Sequence, residues 1–129
     1  MSVSIEELKV MLDAFGLKYK AHNAKQIGMG FGTKQYRDKD GDENLVVILE
    51  LSEDGEYFKA YAPNAFSAKG DHVDAFLRAC MILQWRTKLV QFEFDPGDGE
   101  IRPIVEFPIE DGKVTEKQLK RCIMGLVGL

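Results

Sequence analysis

The sequence predicts an α+β domain, an antiparallel twisted sheet with helices on one face. Three observations support this fold class. Apolar residues recur at helical spacing in three segments, short strand-like segments lie between them, and turn signals join neighbouring strands. Strands joined by tight turns run antiparallel, so we expect the order helix, strands, helix, two strands, helix. With 129 residues, 45% of them hydrophobic, residues 1–129 are expected to form a single domain.

The first helix is predicted to begin directly after Ser4. Ser4 and Glu7 have the spacing of a capping box, and Gly16 is a residue type that commonly ends a helix. The apolar residues between them recur at helical spacing and are Ile5, Leu8, Met11, Leu12 and Phe15.

A charged segment punctuated by glycine follows the short strand expected over Leu17–Ala21. It covers Ala24–Asn44 and predicts a long loop, in which a second short strand around Gln26–Met29 is an open alternative. Its G-x-G-x-G pattern consists of Gly28, Gly30 and Gly32. Phosphate-binding loops lead into a helix, whereas a charged segment follows here, so we expect the glycines of a mobile loop.

Four acidic residues in the same segment surround Gly41. They are Asp38, Asp40, Asp42 and Glu43. Alternating acids can ligate calcium, but the twelfth position counted from Asp38 is Leu49, which has no ligand atom. A solvated turn is therefore expected, with no metal ion.

The first hairpin is predicted to join Leu45–Leu51 to Tyr57–Ala62 through the turn at Asp54 and Gly55. Leu45–Leu51 is apolar on both faces apart from one glutamate, which suits a central strand. Tyr57 and Tyr61 share the face opposite Phe58. If the Phe58 face meets the helices, the two tyrosines lie on the open side of the sheet and become candidate partner contacts. Ordinary cross-strand packing is the alternative.

The middle helix is predicted over Asp71–Trp85, with Asp71 as its N-cap. Its expected core stripe consists of Val73, Phe76, Leu77 and Cys80, and its second apolar side consists of Ala75, Ala79 and Ile82. A helix that is apolar on nearly every side is covered by its own chain or by another one. We expect the second side to contact a second copy of the chain, and Trp85 to fill the core.

A second hairpin is predicted to join Leu89–Phe94 to Ile101–Ile109 through a Pro-Gly-Asp-Gly turn. Pro103 and Pro108 lack an amide donor, so the strand that contains them is expected at a sheet edge or with a bulge. The last helix is predicted from a second capping box, Thr115 and Gln118, and from its apolar stripe of Leu119, Cys122, Ile123 and Leu126.

Three stretches of the sequence resemble the YbjN-like family. They are EDGEYFKAYAP at Glu53–Pro63, MILQWRTKLVQFEFDPGDGEIRPIVEFPIEDG at Met81–Gly112, and the T-x-x-Q-L pattern of Thr115–Leu119. The resemblance implies the fold of the class I type III secretion chaperones. The family commonly has Asn near the end of the middle helix, where this chain has Met81 and Gln84, so no family role is transferred to those two residues.

Composition and motifs argue against several classes of function. The net charge of −4 disfavours a broad nucleic-acid surface, and the nearest basic group, Lys117, Lys120 and Arg121, is expected to be solvated. The chain has neither a signal-peptide pattern nor an apolar run long enough for a membrane span, so a cytoplasmic protein is expected. Cys80 and Cys122 are expected to be buried thiols, with a disulfide left open.

No catalytic or cofactor pattern emerges from the sequence. His22 and His72 lack zinc-protease spacing, and no nucleophile elbow is present, although paired carboxylates remain open because sequence does not give their separation. We therefore expect a non-catalytic protein-interaction domain, chaperone-like or regulatory, that acts as a homodimer and binds a client or regulatory protein. The alternative is a regulatory or sensory domain that binds a small ligand with the Gly28–Asn44 loop.

Overall fold

The computed structural model describes residues 3–38 and 40–129, and it has the predicted α+β architecture. Seven antiparallel strands form one sheet and three helices accompany it. In chain order the elements are α1 (Ile5–Phe15), β1 (Lys20–Ala21), β2 (Gln26–Gly32), β3 (Asn44–Ser52), β4 (Tyr57–Tyr61), β5 (Phe66–Ser67), α2 (Val73–Arg86), β6 (Gln91–Phe94), β7 (Glu100–Pro108) and α3 (Glu116–Val127).

The sheet runs β1-β2-β3-β4-β7, and β6 pairs with the far edge of β7. The two-residue strand β5 pairs with the first two residues of β7, on the same side as β4. β3 is therefore a central strand, as its apolar faces predict.

The main core lies between one sheet face and the helices α1 and α3. The register places Ile27, Leu49, Ala60 and Val105 opposite one another across four strands, and all four are buried. Leu8 and Leu12 from α1 and Leu119, Ile123 and Leu126 from α3 complete this core. The predicted core stripes of both helices are thereby confirmed.

α2 packs on the same sheet face, but against a smaller cluster at the β6 end. Buried Ala68, Cys80 and Ile101 form this cluster. Around it lie the partly buried side chains of Val73, Phe76, Leu77, Phe92 and Phe94. The predicted core stripe of α2 is confirmed. The helix begins after a 3₁₀ turn at Gly70–His72, so the prediction of Asp71 as its N-cap is wrong. His72 occupies that position without a side-chain capping bond.

The predicted capping box forms completely in α3 and by half in α1. Ser4 Oγ accepts a hydrogen bond from the Glu7 amide at 3.2 Å, while the Glu7 carboxylate lies 3.3 Å from Lys113 Nζ. In α3 both halves of the capping box form, between Thr115 and Gln118, at 2.9 and 3.1 Å. Gly16 ends α1 in the left-handed conformation.

β2 confirms the alternative of a second strand around Gln26–Met29 and corrects the prediction that the three glycines lie in a mobile loop. The strand Gln26–Gly32 pairs with β3 along all seven of its residues, so the irregular part shrinks to residues 33–38 and 40–43 of those that the structure describes. Alternation places the three glycines on one sheet face. A Cβ at Gly28 would lie 2.5 Å from His22 Nε2, and a Cβ at Gly30 would lie 3.0 Å from Asn44 Nδ2. These glycines therefore leave room for two side chains that lie over the strand.

β7 corrects the prediction of an edge strand. It lies inside the sheet, between β4 and β6, in spite of its two prolines. The Pro103 carbonyl accepts the Ala62 amide at 3.1 Å, where β4 has ended and β5 has not begun. The nitrogen of Pro103 faces the same gap, since the N–H and C=O of a strand residue point to one side. Pro108 is the last residue of the strand, so neither proline interrupts the ladder.

Candidate interaction surface

The outer side of α2 is an exposed apolar surface. Cys80 is the only fully buried residue that the helix contributes. Trp85 is 89% exposed, Met81 is 65% exposed, and Ile82 and Leu83 are each about half exposed. The prediction that Trp85 fills the core is wrong, because α2 reaches the sheet only through the narrow stripe around Cys80 and leaves the indole on the far side.

The three predicted contact residues lie together on this surface. Ala75, Ala79 and Ile82 are all exposed and recur at helical spacing, so they share one side of the helix. Their own chain does not cover them. We call the surface formed by Ala75, Ala79, Met81, Ile82, Leu83 and Trp85 the α2 face.

An apolar groove borders the α2 face, between α2 and α3. It has a volume of about 610 Å³. Its walls include Ala79 and Leu83 from α2, Phe92 from β6 and Gly125 from α3. Thr87, just after α2, also lines it, and its hydroxyl oxygen is buried with no hydrogen-bond partner among the described residues. Sequence periodicity located the apolar residues of α2 but not this groove, which depends on how far apart α2 and α3 lie.

Tyr57 and Tyr61 lie on the opposite sheet face, away from the helices, as predicted from the burial of Phe58. Both are partly exposed. The Arg102 guanidinium lies 4.6 Å from the ring centre of Tyr61, and burial raises the pKa of both phenols above the ordinary value. Tyr61 thus takes part in cross-strand packing, and a partner role for the two tyrosines stays a prediction.

Comparison with solved structures identifies the fold. YbjN of E. coli, a candidate transcription regulator, matches with a TM-score of 0.59 over 95% of this chain and 88% of that chain, at 11% sequence identity. A chain of the ExsC–ExsE complex matches with a TM-score of 0.58 over 99% of this chain and 90% of that chain, at 13% identity. The chain has the YbjN-like fold. The predicted resemblance is confirmed at the level of fold, which is all that such identities establish.

No protein-family model and no curated protein sequence matches the chain. Among the described residues, no helix is both long enough and apolar enough to cross a lipid bilayer.

The segment after β2 forms a second concave region of this YbjN-like fold. Residues 32–36 border a cavity of about 400 Å³ together with the end of α3. The Tyr36 hydroxyl donates a hydrogen bond to the Ala65 carbonyl at 2.7 Å, which ties the segment to the residues after β4. The Asp38 carboxylate accepts the amides of Asp40 and Asp42 at 2.8 and 2.9 Å. The acids of this segment therefore shape a turn.

A further acidic group lies in the β6–β7 turn, where the sequence predicted only a turn. The carboxylates of Asp95, Asp98 and Glu100 lie within 4.8 Å of one another. Each accepts a backbone amide, from Gly97, from Glu100 and from Asn64 respectively, at 2.7 to 2.9 Å. Their geometry is accounted for by the turn itself.

The two cysteines are free and buried, as predicted. Burial raises the pKa of both thiols above the ordinary value of 9.0, which disfavours the reactive thiolate.

Proposed function

We propose that this protein is a non-catalytic protein-interaction domain, chaperone-like or regulatory, that forms a homodimer through the α2 face. The observation that carries the proposal is the exposure of Ala75, Ala79 and Ile82 beside the exposed side chains of Met81, Leu83 and Trp85. Large apolar patches with this degree of exposure mark interaction sites in soluble proteins. The two structural relatives add support, since one is a candidate regulator and the other was solved as a complex of two proteins.

The composition of the α2 face suits a symmetric helix pair. Ala75 and Ala79 lie one turn apart, and their small side chains let a second helix approach closely. In a two-fold dimer the same patch of both copies lies in the interface, so the apolar area of each residue is buried once on each copy. Full burial of a large apolar side chain contributes about 1.5–3 kcal/mol. Four such side chains on each copy could offset an association cost of about 4–15 kcal/mol.

Light scattering coupled to size-exclusion chromatography tests the dimer directly. We expect the wild-type chain at micromolar concentration to have the mass of two chains, and Ile82→Asp to have the mass of one, because an unpaired carboxylate in the interface is costly to bury. Val10→Asp is the matched control, since Val10 is 65% exposed on α1, and this variant is expected to stay dimeric. A wild-type monomer would remove the dimer from the proposal.

A regulatory or sensory domain that binds a small ligand is the second candidate function. The cavity of about 400 Å³ beside residues 32–36 favours it, because ligand pockets commonly have about 300–1,000 Å³. A thermal-shift screen with nucleotides, metal ions and metabolites provides the test. A ligand that binds only the folded state at about one hundred times its Kd stabilises it by about 2.7 kcal/mol. A screen without a rise in Tm counts against this candidate.

A further inference from the structure

A second surface, distinct from the α2 face, combines positive charge with exposed apolar side chains. It lies where the turn between α2 and β6 meets the outer side of α3. A depression of about 570 Å³ is lined there by Lys88, Leu89, Lys117, Lys120, Arg121, Met124 and Gly125. We call this surface the basic groove. It stands out in a chain whose net charge is −4.

Among the residues that the structure describes, no acidic side chain forms an ion pair with a cation of the basic groove. In the part of the chain that the structure describes, the ion pairs join other residues, among them Arg37 with Glu43 and Arg102 with Glu93. Lys120 has an aromatic neighbour, since its Nζ lies 6.0 Å from the ring centre of Phe15. The groove therefore presents positive charge that its own chain leaves largely uncompensated.

Helix stability does not explain the position of these cations. α3 begins at Glu116, so Lys117 lies in its first turn, where a positive side chain interacts unfavourably with the helix dipole by about 0.3–1 kcal/mol. Lys120 and Arg121 lie in the middle of the helix, where the dipole does not favour a positive side chain.

Leu89 is held in a strained conformation in the middle of the cations. Its φ is +71°, and the amide of Val90 donates to the carbonyl of Lys88 at 2.8 Å, which defines a γ-turn of the rare type with positive φ. A left-handed conformation costs a residue with a side chain about 1–2 kcal/mol. The turn leaves Leu89 49% exposed, beside Met124 at 41%. Strain of this kind persists where the surrounding structure imposes it, and it is concentrated at binding sites.

These observations identify the chemistry of a ligand for the groove. Four cations require a partner with several negative charges, and the exposed Leu89 and Met124 require an apolar group between those charges. A phosphate backbone supplies the charges without the apolar group, and the net negative chain would repel a long polyanion. An acidic peptide with bulky apolar residues supplies both. We propose that the basic groove binds an acidic, apolar-containing segment of a protein partner.

This inference rests on the proposed function as a protein-interaction domain, but it does not require the dimer. The test uses fluorescence anisotropy with a fluorescein-labelled peptide of alternating glutamate and leucine. Binding is expected to weaken as salt is added, because screening acts on exposed charges. The double variant Lys120→Glu, Arg121→Glu is expected to bind about tenfold or more weakly. The control Lys18→Glu, Lys20→Glu makes the same change in net charge on exposed residues outside the groove and should bind as the wild type does.

A second variant tests the apolar part of the groove without an effect on the fold. Leu89→Gly removes the side chain and tolerates a positive φ, so stability should hold or rise while peptide binding falls. Equal binding by both double variants, or by Leu89→Gly and wild type, would overturn the proposal. So would tighter binding of oligo-dT or of anionic phosphatidylserine vesicles than of the peptide. Peptide binding by Ile82→Asp would keep this inference even if the dimer failed.

Discussion

Two kinds of glycine occur in this chain, and they are required for different physical reasons. Gly55 has a φ of +84°, and a Cβ there would overlap the carbonyl oxygen of Val3. Gly28 and Gly30 lie in an ordinary strand, where the missing side chain makes room for His22 and Asn44. A glycine-rich stretch thus indicates a loop only when backbone conformation is the reason for the glycines, and sequence alone does not separate the two cases.

Gly16, which ends α1, and Gly55, in the turn between β3 and β4, give the first prediction at this scale. Gly16→Ala places a side chain in a left-handed conformation with open space around it, and should cost about 1 kcal/mol of unfolding free energy. Gly55→Ala adds a steric overlap with Val3, which should cost about 1–3 kcal/mol more. Urea denaturation of both variants measures the difference. Equal losses would show that the contact between Gly55 and the N-terminal segment is looser than described.

The buried thiols predict a pH dependence of stability. Burial raises the pKa of Cys80 and Cys122 above 9.0 in the folded chain, so each keeps its proton where the unfolded chain has lost it. The folded state then binds more protons than the unfolded state. The free energy of unfolding therefore falls as the pH rises above the pKa of the thiols in the unfolded chain.

The measurement compares denaturation of the wild type and of the Cys80→Ala, Cys122→Ala variant between neutral pH and a pH of about 10. The variant should lose less stability across this interval than the wild type. The tyrosines, whose pKa is also raised, are common to both proteins and cancel in the comparison. Parallel curves for the two proteins would contradict the assignment.

At the scale of elements, α2 differs from the other two helices in how little of it is covered. α1 and α3 each bury several large side chains in the main core, whereas α2 contributes a single fully buried residue. Its position over the short strand β6 explains this, because four residues of strand support only a narrow contact.

Trp85 provides the prediction that separates surface from core in α2. Trp85→Ala should change the free energy of unfolding of the Ile82→Asp chain, in which no dimer is expected, by less than about 0.5 kcal/mol, since the indole is 89% exposed. Phe58→Ala, at a fully buried position, should cost about 3–5 kcal/mol in the same background. A large loss for Trp85→Ala would place the indole in the core, as its size alone predicts.

Local sequence patterns predict the helices and strands of this protein well. They predict less well which elements lie next to one another in the fold. Capping signals and turn residues fix α1, α3 and the two hairpins, because the interactions involved span only a few residues. The position of β7 depends instead on where β4 ends and β5 begins. These two points decide whether a neighbouring strand requires the amide donor that Pro103 lacks. For the same reason the sequence identifies the apolar residues of α2, while exposure of Trp85 requires the whole fold.

At the scale of the molecule, the fold combines a large main core with a thinly covered flank, which is formed by α2 and β6. The main core joins α1, α3 and strands β2, β3, β4 and β7, and the smaller cluster under α2 shares β7 with it. The α2 face belongs to the thinly covered flank, and the basic groove lies between this flank and α3. Lys88 and Gly125 line both the basic groove and the apolar groove beside the α2 face, so the two grooves adjoin. Elements with few buried contacts open most easily, so this flank should be the least stable part of the free chain.

Amide hydrogen exchange at two protein concentrations tests this division of the molecule. In dilute solution the amides of α2 should exchange faster than those of β3 and β4, which have paired strands on both sides. At concentrations where the proposed dimer would form, protection should rise in α2 and stay unchanged in α1, because a partner that binds only the folded helix stabilises that helix. Ile82→Asp should abolish the concentration dependence and leave the exchange of β3 unaltered. Protection of α2 that is independent of concentration in the wild type would mean that this helix is stabilised within one chain, against its observed exposure.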